Sequence, residues 1–138
     1  MAEEKILSAD EILAKYDRES DSRNLTGILG RMISAIAITF TLFQLYTAIF
    51  GVLDAHLQRA IHLSFGLVLI FLLYPTLRKW PRRSIHPLDW FLAVLGGAAP
   101  MYIVMAYEEL VLRAGTVTGT DMAVGVLGVA LVIEAARR

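Results

Sequence analysis

A chain of 138 residues falls within the range of one domain, but 57% of its residues are hydrophobic, only 19% are charged and its mean hydropathy is +0.59. These values are foreign to an average soluble domain and expected of a membrane protein. The formal net charge is zero and the charges cluster between apolar runs, so there is no basic field to hold a nucleic acid; the absence of cysteine excludes disulfides, thiolate metal sites and cysteine nucleophiles.

Residues 1–23 predict a cytoplasmic arm. Met1 to Asp21 is acidic and polar, without the basic stretch and immediate apolar run of a cleaved signal peptide, and is expected to be retained. Within it Ser8-Ala9-Asp10-Glu11 has capping-box spacing, and Ala9, Ile12, Leu13 and Tyr16 follow at i, i+3, i+4, i+7. That pattern predicts a short amphipathic helix whose polar face is mixed in sign, suited to docking on protein or to a loosely held arm.

Residues 24–138 predict an all-α, integral membrane four-helix bundle. Spans are expected over 32–53, 60–77 and 90–107, which carry no charge, and over 118–136, where Asp121 and Glu134 sit near the two ends. Arg23 and Arg31 before the first span, Arg78, Lys79, Arg82 and Arg83 after the second, and Arg137 and Arg138 after the fourth put those segments in the cytoplasm by the positive-inside rule. The loops with Arg59, and with Arg113 beside Glu108, Glu109 and Asp121, then face outward, and Tyr74, Trp80, Trp90 and Tyr107 fall near span ends, where amphipathic rings favour headgroups. The 78–83 cluster reads first as a topological anchor touching lipid headgroups.

In lipid, helices associate through close packing and interhelical hydrogen bonds, so small and weakly polar residues mark touching faces. The first span carries Ser34, Ala37, Thr41, Gln44, Ala48 and Gly51 at heptad-like spacing. The second offers Arg59, His62 and Gly66, the third Ala93, Gly96, Gly97 and Pro100, and the fourth Gly125, Gly128, Val132 and Ala135. Pro100 removes a backbone donor and predicts a kink, the freed carbonyl being satisfied inside the protein.

His62 is the clearest ionisable residue inside a span. Its readings are a proton relay, a haem ligand or partner contact, and a neutral histidine hydrogen-bonded across the bundle, the last being favoured. Haem would need axial histidines facing each other from different helices, whereas His56 and His86 lie in loops. Glu108 and Glu109 are adjacent and read as solvated ends paired with Arg113. There is no phosphate-binding glycine loop, H-E-x-x-H or nucleophile elbow, so no enzyme, cofactor, catalytic residue or metal ligand is expected.

Three stretches carry a resemblance. They are Phe43-Gln44-Leu45-Tyr46-Thr47-Ala48; Gln58-Arg59-Ala60-Ile61-His62-Leu63 running on to Phe71-Leu72-Leu73-Tyr74-Pro75; and Tyr107-Glu108-Glu109-Leu110-Val111-Leu112-Arg113-Ala114-Gly115 with Glu134-Ala135-Ala136-Arg137-Arg138. Over about residues 24–138 the chain resembles the N-terminal, small-subunit-like part of the fused permease of tripartite ATP-independent periplasmic (TRAP) transporters, the TAXI-associated type. The resemblance implies a multi-pass protein of a bacterial or archaeal cytoplasmic (inner) membrane, part of a secondary transporter for sodium-coupled uptake of a carboxylate-like solute. A periplasmic solute-binding protein would deliver the solute, and the large permease subunit or domain, which holds the transport site, would be the main partner beside lipid. A fused permease continues for several hundred residues more, so the chain reads as a separate subunit, a truncated product or an excised domain. The interface expected from the seams and the outer edge comprises Ser34, Thr41, Gln44, Ala48, Gly51, Gln58, Arg59, His62, Gly125 and Gly128. The alternative is a homo-oligomeric small four-helix exporter, which would ordinarily need an ionisable residue deep in a span.

Overall fold

A computed structural model describes Ser22, Arg23 and residues 25–51, 53–77 and 84–138. The amphipathic segment around Ser8 to Tyr16 and the basic cluster at 78–83 lie outside the described residues. The regular structure of the described residues is helical: α1 Gly27–Phe50, α2 Ala55–Leu73, α3 Pro87–Met105, the short α4 Tyr107–Leu112, and α5 Gly119–Arg137. α1, α2, α3 and α5 are each long and apolar enough to cross a membrane. Large apolar side chains are exposed on all four, among them Ile38, Ile49, Leu63, Val94, Val126 and Ile133. A soluble fold would bury such residues, whereas in a bilayer lipid covers them, and the chain is a multi-pass membrane protein.

Local chemistry sets the helix ends, and it moves them from where charge-free runs place them. α1, α2 and α3 start at 27, 55 and 87, before the expected 32, 60 and 90, so Arg31 and Arg59 lie inside helices. α1 stops at Gly51, whose φ of 57° is left-handed and whose N–H donates to the Thr47 carbonyl. Asp54 caps α2 by accepting from His56 N–H at 2.9 Å. α3 begins with Pro87 in its first turn after His86, whose ring accepts from Leu88 N–H. Thr118 and Asp121 form a reciprocal capping box that starts α5.

The four spans run up and down, and the α2–α3 hairpin is the centre. Ala60, Ser64, Leu67, Phe71 and Leu72 of α2 are buried, as are Asp89, Ala93, Gly96, Ala99 and Pro100 of α3. A Cβ on Gly96 would stand 2.9 Å from Phe71 Cε2 and 3.0 Å from Leu67 Cβ; one on Gly97 would stand 3.0 Å from Val68 Cγ2. The backbone of α3 therefore lies directly on the side chains of α2, as a small-residue seam allows. The helical assignment of α3 continues through Pro100. Ser64 donates to the Gly97 carbonyl at 2.9 Å, next to the Gly96 carbonyl that Pro100 leaves without its helical donor.

The flanking helices are held more lightly. On α1 only Ile33 and Thr47 are buried, and on α5 only Leu131. Phe40 of α1 stacks on Phe65 of α2 at 5.3 Å between ring centroids, and Phe43 reaches the same ring at 6.4 Å.

Candidate functional site

The expected interface residues divide into two groups. Gln44, Gln58, Arg59 and His62 come together at the α1–α2 end near Gly51, where with Ala55 and Leu63 they line an open groove of about 630 Å³. The Gln44 side-chain amide meets His62 Nδ1 across the two helices, and Phe40 packs edge-on to the imidazole at 5.0 Å. Gln58 donates to Thr47 Oγ1 at 3.1 Å, and Thr47 donates to the Gln44 carbonyl. Arg59 is exposed beside them. The histidine thus meets an amide from the neighbouring helix while remaining exposed on its other side.

The second group stays open. α1 turns Ile33, Ile36, Phe40 and Thr47 toward its neighbours, so Ser34, Thr41, Ala48 and Gly51 are exposed. The Thr41 hydroxyl donates back to the Ala37 carbonyl at 2.9 Å. Likewise Gly66, Gly125 and Gly128 have no atom within 4 Å of where a Cβ would sit. Of the small-residue seams, the α3 one is consumed inside the bundle; on α1 Gln44 is engaged with α2 while Ser34, Thr41, Ala48 and Gly51 face outward, and the α5 glycines border open space. Gly125 and Gly128 line an apolar groove of about 580 Å³ between α3 and α5.

Sequence reasoning missed a buried charge cluster at the opposite end. Asp89, in the first turn of α3, has no solvent exposure and lies between two arginines. One oxygen pairs with Arg23; the other accepts from Arg138 at 3.2 Å, from Thr76 N–H at 3.2 Å and from the Thr76 hydroxyl. Arg23 also donates to the Leu72 carbonyl at 3.0 Å, while its own N–H reaches Leu73 O at 2.8 Å. Arg138 donates to the Tyr74 carbonyl and to Thr76 Oγ1, both at 2.7 Å, and its guanidinium lies 4.5 Å over the Phe71 ring. Burial pushes the Arg138 guanidinium down from the ordinary arginine value, opposed by the Asp89 and Glu134 carboxylates. In sequence these arginines read as flanking charges, and nothing in their spacing announces a common carboxylate.

At the far end Asp121 accepts from the Tyr102 hydroxyl at 2.6 Å and from Arg113 at 3.1 Å, besides Thr118. Glu109 pairs with Arg113 at 3.6 Å, as their spacing on α4 suggests. The Asp54 carboxylate raises the Tyr107 phenol above its ordinary value. Among the described residues no three His, Asp or Glu side chains are placed to share a metal ion. Comparison with protein-family models, with curated proteins and with solved structures finds no match.

Proposed function

We propose that the chain is a small membrane subunit or domain of a TRAP-type secondary transporter, scaffolding a large permease partner in sodium-coupled uptake of a carboxylate-like solute. The reading rests on the resemblance of the three quoted stretches, and one structural observation supports it. Ser34, Thr41, Ala48 and Gly51 of the α1 stripe are spaced for helix packing yet face outward, and bare small-residue surface in a bilayer is suited to a close helix contact from elsewhere. The Gln58–Arg59–His62 edge would extend that contact to the headgroup level, with both ends of the chain cytoplasmic. The chain would widen and steady the partner and bind no solute itself.

The test is a mild-detergent pull-down of the tagged chain from its native membranes, followed by size-exclusion chromatography and mass spectrometry. Stoichiometric recovery of a large polytopic membrane protein is expected, falling at least about tenfold in a Ser34→Leu, Ala48→Leu variant, because two added isobutyl groups keep helix backbones apart. Gly51 is unsuitable for this substitution, since its left-handed φ would strain any side chain and test the end of α1 instead. A chain that runs alone or as a homo-oligomer, or an unchanged yield in the variant, refutes the proposal.

A further inference from the structure

We infer that Asp89 is a shared latch: one buried carboxylate fixes the near ends of both flanking helices, so that losing either arginine frees only its own helix and losing the carboxylate frees both. In a bilayer, lipid tails solvate an apolar helix face as well as a neighbouring helix does, so apolar contact alone holds α1 and α5 weakly. Each has little buried surface to add: Ile33 and Thr47 on α1, Leu131 on α5. Polar clasps therefore carry much of their attachment. At the Gly51 end the clasps are separate, Gln44–His62 and Thr47–Gln58 for α1 and Asp121–Tyr102 for α5. At the other end both meet on one side chain, with Arg23 on one oxygen of Asp89 and Arg138 on the other.

The side chains of Arg23, Asp89 and Arg138 are 0%, 0% and 1% exposed, so water does not substitute for a lost partner. Taking away the carboxylate leaves two buried guanidiniums held by backbone carbonyls and Thr76, with Glu134 3.5 Å from Arg138, a worse arrangement than either single loss. Removal of one arginine leaves Asp89 with the other and with Thr76. The near ends of α1 and α5 are accordingly coupled through a residue belonging to neither, while α2 and α3 stay locked by the Gly96 seam.

Hydrogen–deuterium exchange of the full chain in detergent micelles tests it, read over residues 25–36 and 128–138. Arg23→Gln is expected to speed exchange at 25–36 by about tenfold or more while 128–138 stays within about twofold, and Arg138→Gln the reverse. Asp89→Asn is expected to speed both. Loosening of one segment alone in Asp89→Asn, or of neither, overturns the latch. Should Asp89→Asn fail to give helical protein, the two arginine variants decide: each loosening its own helix upholds the latch, and either loosening both helices or neither refutes it.

Discussion

Gly96 sets the α3 backbone directly on α2, and a single methyl group there measures how tightly the central hairpin is closed. In Gly96→Ala the new Cβ would lie 2.9 and 3.0 Å from two carbons of the Phe71 ring and 3.0 Å from Leu67 Cβ, where carbon atoms prefer roughly 3.5–4.0 Å. Phe71 has no exposed surface and carries the Arg138 guanidinium on its ring, so the ring has nowhere to turn and α2 and α3 must part by roughly half an ångström or more. Overpacking of this kind costs about 1–3 kcal/mol. The helix-propensity gain of about 1 kcal/mol that Ala brings in water is largely absent, because the detergent-unfolded state of a membrane helix remains helical. Gly97→Ala meets only the end of Val68 at 3.0 Å and Ser64 Oγ at 3.7 Å and should cost less, while Gly125→Ala and Gly128→Ala meet nothing within 4 Å and should be near neutral. The assay is unfolding by rising SDS mole fraction from mild-detergent micelles, followed by tryptophan fluorescence. Gly96→Ala proving as stable as Gly125→Ala would refute the close-seam account.

Two further predictions concern the polar ends and the orientation. The Asp54 carboxylate is held below its usual range, chiefly by His56 N–H and then by the Tyr107 hydroxyl; its folded pKa being depressed, its stabilisation is complete above the unfolded value near ~3.9 and disappears as pH falls through the folded value. Asp54→Asn, which keeps the cap, should flatten the acid side of a stability–pH profile below about pH 4, and a profile unchanged from the parent would count against the contact. With no native cysteine, Ser84→Cys and Thr116→Cys report the orientation: a membrane-impermeant maleimide applied to intact cells should label position 116 and spare 84, and the reverse pattern would invert the proposed topology.

Most of the architecture was legible in the sequence because the bilayer leaves few choices. An apolar run of near-span length must be a helix, and clusters of arginine, glycine and proline separate one run from the next. The Ser34–Gly51 stripe and the Gly96–Gly97 seam could also be seen as candidates. Which stripe is consumed inside the bundle depends on how far each helix is rotated about its own axis. That rotation is a tertiary quantity, set here by Phe40 on Phe65 and by the α3 backbone on Phe71. The Asp89 cluster was illegible for a related reason: Arg23, Asp89 and Arg138 lie far apart along the chain, the two arginines read as ordinary flanking charges, and Thr76 falls inside the expected second span. Hydropathy is local along the chain, so four apolar helices and the loops between them follow from the residues alone. Which faces are spent, and which carboxylate two distant arginines share, follow from the folded bundle, because burial and pairing are properties of helices brought together.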